Sequence, residues 1–355
     1  MDSINLNVKE AMLEQRVKFA RIGLFIAAMT GVGLGLQSSM TGVAAELYPF
    51  ADPSYGIWML IICSFICSGL HDFTAGIWIL IFNKVSKRSI SEYIRLLKTK
   101  VGWLLIVGAL LGGPVATASN MAATYLCNPT YSLAITGIFP IIGTLTGVIF
   151  LKEKVSLRTW MGIIIAIVGV FIVSYSPPSD EVYPYFGIGI IFALLAAIGW
   201  GTEGYFASYA ADMVDPNIAV GTFRSFGSGL FILLIMVPIT CVIGGVGGGT
   251  GFHILGTAFH EGAPILAMVV AALGGGTSMY SFYQSVNHVG VGRTTAFNVT
   301  GTLWSIPFCL ILQAMGLMVY EVTPQAIIGA IITIIGVMLT IANPKQMITQ
   351  RNTDF

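Results

Sequence analysis

Four ionisable side chains lie inside stretches of the chain that are otherwise apolar. Glu203 and Arg224 lie on either side of a short polar segment, and His71 and Asp72 are adjacent within another apolar run. A charge at the centre of a bilayer costs about 2.5 kcal/mol or more, so such residues are functional candidates by default. Their chemistry is proton exchange, ion pairing, or recognition of a polar or charged small molecule.

Glu203 and Arg224 are equidistant from a turn centred near residue 213, so they lie at similar depth on antiparallel helices. An ion pair between them is therefore geometrically reasonable. Three interpretations stay open: a structural pair that neutralises both charges, an acid that exchanges between proton, substrate and arginine, or one group without a partner in a water-filled vestibule.

His71 and Asp72 follow one another on a helix, so their side chains point about 100° apart. We expect one of them to serve a cavity while the other bonds a neighbouring helix. A proton relay and an interhelical polar contact are both open. The candidates for proton coupling are thus Glu203, His71 and Asp72.

Amide and aromatic side chains on the same apolar runs complete the candidate binding site. Buried hydroxyls most often bond their own helix, whereas aromatic rings beside a carboxylate can form a cage for an organic cation. Interfacial belts and lipid contact are the alternative for each aromatic residue. The candidates for substrate binding are Glu203, Gln37, Arg224, Asn120, Tyr280, Tyr283, Gln284, Asn298, Trp200, Trp304 and Trp58.

Two glycine-rich runs are expected to break the helices beside this site. Gly112-Gly113-Pro114 and Gly274-Gly275-Gly276 occupy matching positions in two apolar runs. Helix interruptions free backbone groups that only a cavity or water can satisfy. We therefore predict that both runs line a binding site.

The elements that position these residues must be membrane helices. The chain of 355 residues is 55% hydrophobic and 9% charged, with a mean hydropathy of +0.85, which excludes a water-soluble fold. Apolar runs long enough to span a bilayer recur along nearly the whole sequence. We predict ten helices, near 22–46, 57–83, 102–126, 129–151, 157–175, 185–211, 218–243, 262–287, 293–316 and 323–342.

The charge pattern predicts the orientation of these helices. With ten spans, every one of the 17 basic residues except Arg224 falls on one side. The positive-inside rule then places both termini in the cytoplasm, with a bacterial cytoplasmic membrane as the expected location. The net charge of +1 gives no reason to expect nucleic-acid binding.

An internal repeat divides the chain into two halves. Gly33-Leu34-Gly35-Leu36-Gln37 matches Gly199-Trp200-Gly201-Thr202-Glu203, and Pro140, Gly162 and Gly169 match Pro307, Gly329 and Gly336. Five helices is an odd number, so the second half must be inverted. We predict an all-α membrane protein with a cytoplasmic segment 1–21, five-helix repeats at 22–176 and 185–343, and a cytoplasmic tail 344–355; duplication kept for packing alone is the alternative.

The motif around the fourth and fifth helices resembles the drug/metabolite transporter superfamily, particularly its EamA-type ten-helix permeases. Pro140, the run Leu151-Lys152-Glu153-Lys154, and Gly162 with Gly169 carry the resemblance, which extends from about residue 22 to 342. The second half departs from the motif, with Met318-Val319-Tyr320-Glu321 in place of Leu-Lys-Glu. The resemblance implies no cofactor and no fixed coupling ion.

The expected function is secondary transport of a small polar metabolite or organic cation by alternating access, with Glu203 as the coupling carboxyl for protons. An amino-acid or metabolite exporter or exchanger without proton coupling, and a channel, are the alternatives. Enzyme signatures are missing from the sequence, and the five cysteines form no C-x-x-C pair, so neither catalysis nor a metal site is expected. The expected partners are a small molecule, the lipid bilayer and protons, with the chain a monomer or weak homodimer.

Overall fold

The computed structural model contains α-helices and short π-helical segments, and no strand among the residues that it describes. These residues are 2–52, 54–85, 91–127, 132, 135–150, 152, 154–174, 184–211, 214, 220–317 and 324–341. The predicted tail 344–355, as well as Leu151, Glu153 and the run Met318 to Glu321 of the compared motifs, lies outside them.

The helices of the first part of the chain are α1 (Asp2–Ala45), α2 (Ile57–Val85), α3 (Ser91–Leu97), α4 (Lys100–Leu110), π1 (Leu111–Thr117), α5 (Ala118–Cys127), α6 (Phe139–Phe150) and α7 (Leu157–Ser174). Those of the second part are α8 (Phe186–Ala211), π2 (Val220–Gly227), α9 (Ser228–Phe231), π3 (Ile232–Met236), α10 (Val237–Ile243), α11 (Thr250–Glu261), α12 (Ala263–Val289), α13 (Val291–Asn298), α14 (Gly301–Ala314) and α15 (Pro324–Ile341).

Among the described residues, seven helical stretches are long and apolar enough to cross a bilayer: Val17–Ala44, Ile57–Val85, Lys100–Leu126, Phe186–Phe206, Phe223–Ile243, Ala263–Val289 and Arg293–Ala314. Three shorter apolar helices occupy Phe139–Phe150, Leu157–Ile172 and Ile327–Thr340. An integral membrane protein with an all-helical fold is confirmed. Each predicted span coincides with one of these stretches, but a count of ten crossings stays a prediction.

The two glycine-rich runs behave differently. Gly112-Gly113-Pro114 lies in π1, where the Thr117 hydroxyl donates to the carbonyl oxygen of Gly112 at 2.8 Å. A π-helical turn inside an α-helix is frequent at functional sites. The predicted break at Gly274 to Gly276 is wrong, because α12 continues through it. Glycine keeps its backbone N–H and preserves the helical hydrogen bonds, whereas Pro114 has no N–H to donate.

Glycines bring two pairs of helices into backbone contact. A methyl group on Gly33 of α1 would overlap the Gly274 carbonyl of α12, which explains why Gly274 serves packing rather than a break. Between α7 and α15, Gly162 lies against the Gly336 carbonyl and Gly169 against the Gly329 carbonyl. Small residues at such interfaces allow close helix packing in lipid.

We predict that Gly336→Ala lowers the free energy of unfolding by about 1–3 kcal/mol. Its new methyl group would overlap the Ala166 backbone nitrogen and the Gly162 carbonyl, which cannot move without separating the helices. The melting temperature in detergent measures the effect. Gly256→Ala is the control, because its Cβ would enter open space. Equal melting temperatures for the two variants would contradict the prediction.

Candidate functional site

Four buried ionisable groups meet between α2, α8 and π2. Arg224 and Asp72 are each 2% exposed, and Glu203 and His71 are each 3% exposed. They include both charged pairs that the sequence analysis treated separately, and the structure joins them into one cluster. Because buried charges are costly unless they are paired and hydrogen-bonded, the partners of each group decide what the cluster can do.

Arg224 is the centre of this cluster. Its Nε donates to Glu203 Oε1, and its Nη1 donates to Asp72 Oδ2 at 3.0 Å. Its Nη2 donates to the carbonyl oxygen of Gly112 at 2.9 Å and to Thr117 Oγ1 at 3.1 Å. The π1 segment thus supplies two of the acceptors, and the planar fork of the guanidinium fits a site with acceptors in fixed directions.

Each carboxylate has further hydrogen-bond donors besides Arg224. The Tyr283 hydroxyl donates to Glu203 Oε1 at 3.0 Å, and the Ser228 hydroxyl donates to Asp72 Oδ2 at 2.7 Å. The other oxygen of Asp72 lies 3.0 Å from Nδ1 of His71. Asp72 therefore bridges the histidine and the arginine.

When His71 is neutral and both carboxylates are ionised, the charges of the cluster do not balance, because Arg224 is the one cation of the described residues that contacts both Asp72 and Glu203. One negative charge then remains buried without compensation. A proton on one of these groups or a cationic ligand beside them would restore neutrality, since an unpaired buried charge is strongly unfavourable.

Two cavities adjoin the cluster. The first contains about 480 Å³ of space not occupied by atoms, open solvent included, and is lined by Leu34, Gln37, His71, Thr117, Phe139, Trp200, Glu203, Arg224, Met279, Phe282 and Asn298. The second contains about 400 Å³ by the same measure and is lined by Leu34, Gln37, Ser38, Asn120, Thr136, Gly137, Phe139, Val170, Trp200, Val299 and Thr302. Apolar walls with a few convergent polar groups are typical of small-molecule sites.

The cavities share Leu34, Gln37, Phe139 and Trp200, so they are adjacent parts of one interior region. Among the described residues, no group of three or more histidine, cysteine, aspartate or glutamate side chains could hold a metal ion. The arrangement is suited to binding a polar or charged small molecule reversibly.

Comparison with known proteins finds a similarity to one family. Residues 21–175 match the model of the EamA-like transporter family. This part of the chain is similar to EamA-type transporters of the drug/metabolite transporter superfamily. The matched residues correspond closely to the predicted first repeat at 22–176, and the resemblance inferred from the proline and glycine motif is confirmed.

The chain is also similar to two proteins along most of its length. It is 21% identical over 243 residues to Protein LicB of Haemophilus influenzae, which covers 68% of this chain and 76% of that protein. A protein of known crystal structure superposes with a TM-score of 0.59 at 14% identity, covering 90% of this chain and 95% of the other. The structural likeness concerns the fold alone.

The fold brings most of the predicted substrate-binding residues together. Gln37, Glu203, Arg224, Asn298 and Trp200 line the first cavity, with His71 beside them. Asn120 lines the second cavity and accepts a hydrogen bond from Ser132 Oγ at 2.9 Å. Tyr283 reaches the site through its bond to Glu203.

Four other predicted residues line neither cavity. Trp58 is 40% exposed at the start of α2, and Trp304 is 42% exposed on α14. Tyr280 and Gln284 are half-buried on α12. A part for Trp58, Trp304, Tyr280 and Gln284 in substrate binding stays a prediction.

The sequence pattern did not reveal Ser228 or the apolar wall residue Phe139. Ser228 follows Arg224 by four positions, which places both on one helix face, so the spacing was a usable signal. Phe139 offered no such signal, because it is one of 21 phenylalanines and only the packing of α6 brings it to the cavity.

Proposed function

We propose that this protein is a secondary active transporter that moves a small polar metabolite or organic cation across the cytoplasmic membrane. The observation that carries the proposal is the unbalanced charge cluster at the wall of an interior cavity in an EamA-type chain. Intramembrane ionisable residues beside a cavity mark substrate and ion pathways. Glu203, His71 and Asp72 are the groups proposed to couple protons to substrate movement.

The proposed architecture is two inverted repeats of five helices each. Reciprocal contacts support it: Gly162 lies against Gly336 as its repeat-mate Gly329 lies against Gly169. Inverted repeats related by an axis in the membrane plane place substrate where the repeats meet, and alternating access follows from exchange between two equivalent arrangements.

Under the proposed repeat, α2 of the first half corresponds to π2 and α9 of the second half. Gly76 packs against Phe226, and Gly229 packs against Phe73. If Gly76 corresponds to Gly229 and Phe73 to Phe226, these two contacts are equivalent under the repeat. The same shift along the chain relates His71 of the site to Arg224.

The motif match between α1 and α8 relates Gln37 to Glu203 in the same way. Gly112 lies against Glu203, and the matching Gly274 lies against Gln37.

The proposed site therefore consists of one half-site with charged side chains and one half-site with uncharged side chains. One half holds Glu203 and Arg224, and the other holds Gln37 and His71. An exchange between equivalent arrangements would expose first one half and then the other to solution. The charged half gives the transporter a group that can trade a proton or a cation for its arginine partner.

Counterflow in liposomes tests the proposal. Purified protein is reconstituted into vesicles preloaded with one of a panel of amino acids, amines, nucleosides and sugars, and uptake of the labelled compound is followed. We expect saturable uptake that is accelerated by the internal compound, because a carrier exchanges substrate across both faces. Empty vesicles are the control.

Uptake that is not saturable and shows no acceleration would indicate a channel instead of a carrier. Saturable counterflow that does not respond to a pH gradient would favour an exporter or exchanger without proton coupling. Counterflow with no compound of the panel would contradict the proposed substrate classes.

A further inference from the structure

His71 has one satisfied and one unsatisfied ring nitrogen. Its Nδ1 lies 3.0 Å from Asp72 Oδ1, whereas its Nε2 is buried and has no hydrogen-bond partner among the described residues. The residue is 3% exposed and lines the first cavity. A buried polar atom without a partner is rare in a native structure and requires a ligand or a water to explain it.

The contact with Asp72 assigns the tautomer of the histidine. Asp72 accepts hydrogen bonds from Arg224 and Ser228, so it is an ionised acceptor, and Nδ1 of His71 must carry the hydrogen that it donates to Oδ1. In a neutral imidazole the other nitrogen is then an acceptor. Nε2 therefore presents a lone pair and needs a donor from the cavity.

A second acceptor lies close to this nitrogen. A methyl group on Gly275 would overlap Nε2 of His71 and would lie 2.9 Å from Oε1 of Gln37, so these two acceptor atoms lie close to one another beside Gly275. The glycine allows the imidazole to approach α12 this closely. Gln37 and His71 are also the repeat-mates of Glu203 and Arg224, but Glu203 and Arg224 satisfy one another, whereas Nε2 of His71 has no partner.

The charge of the cluster selects the kind of donor. With a neutral His71 and both carboxylates ionised, the cluster of Arg224, Asp72 and Glu203 carries one excess negative charge. A ligand that brings both a positive charge and an N–H group would meet both requirements, because charge-assisted hydrogen bonds are roughly twice as strong as neutral ones. The walls formed by Phe139, Trp200 and Phe282 would accommodate its carbon skeleton.

We infer that Nε2 of His71 and Oε1 of Gln37 form an acceptor site for a protonated amine that bears at least one N–H group. The inference rests on the proposed transport function and narrows its substrate class. A quaternary ammonium has the charge without the donor, and an alcohol has the donor without the charge. The site distinguishes the three by the hydrogen bond to Nε2 and by the excess carboxylate charge.

Binding to the intact chain in lipid nanodiscs at pH 8 tests this inference. The probes are propylamine, N,N,N-trimethylpropylammonium and 1-propanol, which share a carbon skeleton, and the measured quantity is the Kd of each. We expect propylamine to bind at least about tenfold more tightly than either of the other two, as one charge-assisted hydrogen bond provides.

Variants locate the effect at Nε2. His71→Asn keeps a donor for Asp72 but has no atom at the Nε2 position, so it should weaken propylamine about tenfold and leave the trimethylated probe unchanged. Gly275→Ala should weaken propylamine binding similarly, because its methyl group would displace the imidazole of His71 from its place beside Gln37. Gly276→Ala is the matched control, since its Cβ would make ordinary contacts of 3.5–3.6 Å with Ala75.

Equal affinity for propylamine and its trimethylated counterpart, or no binding of propylamine, would overturn the inference. So would propylamine binding that His71→Asn leaves unchanged while its melting temperature matches wild type. Saturable counterflow of other compounds together with such a result would retain the transporter proposal and reject only this site. Discrimination at His71 without any counterflow would reject transport and retain the amine site.

Discussion

Arg224→Ala is expected to lower the free energy of unfolding by about 3–5 kcal/mol, the cost of leaving a buried charge without its partner. The substitution removes the cation that contacts both Asp72 and Glu203, and it leaves the Gly112 carbonyl without the donor that Nη2 provides. Thermal or denaturant unfolding of the purified protein in detergent measures the loss. Lower yield of folded protein should accompany it.

Two further variants give this test its controls. Arg158→Ala removes an exposed arginine and should change stability by less than about 0.5 kcal/mol. The triple variant Arg224→Met, Asp72→Asn and Glu203→Gln removes every formal charge of the cluster at similar volume, so it should recover much of the lost stability. If Arg224→Ala were as stable as Arg158→Ala, the central place given to Arg224 would be wrong.

Glu203→Gln is expected to reduce the rate of counterflow by about 10- to 100-fold while leaving the fold intact. The amide has the shape of the carboxylate but no charge, and the loss of one charge-assisted interaction of about 1.5–3 kcal/mol corresponds to such a factor. Arg224 still pairs with Asp72 in this variant, so the buried charges balance and the melting temperature should stay near that of wild type. Uptake into proteoliposomes at several external pH values measures the effect.

Glu261→Gln removes an exposed carboxylate at the end of α11 and is the control for this measurement. It should leave both the rate and its pH dependence unchanged. Glu203→Asp keeps the charge on a shorter side chain and should retain more activity than Glu203→Gln. Wild-type counterflow with an unaltered pH dependence in Glu203→Gln would remove Glu203 from the coupling mechanism.

The sequence indicated one of the ion pairs of the charged cluster but not the other. It indicated the pair of Glu203 and Arg224, because the two residues are equidistant from one connection between helices. The contact between Arg224 and Asp72 joins residues far apart in the chain, and no local pattern contains it. The position of Asp72 in its apolar run indicated its depth in the membrane but not its partner. The packing of α2 against π2 determines that partner.

The helices themselves divide in the same way. Hydropathy located each apolar stretch, because burial in lipid requires about 20 apolar residues whatever their neighbours are. Hydropathy did not distinguish the π-helical turn at Pro114 from the continuous α-helix through Gly274, because both runs contain clustered glycines. The missing N–H of proline and the approach of α1 to α12 distinguish them, and the second of these is a tertiary contact.

The sequence by itself determined that the chain is helical and membrane-embedded, that its halves resemble one another, and that few ionisable groups lie within its apolar runs. These properties follow from solvent transfer energies and from local spacing, which each segment carries alone. Only the tertiary structure decided that Arg224 contacts two carboxylates and that Nε2 of His71 has no hydrogen-bond partner in the part of the chain that the structure describes. Such facts depend on which helices touch, because hydrogen bonds form over about 3 Å between side chains that the chain itself separates widely.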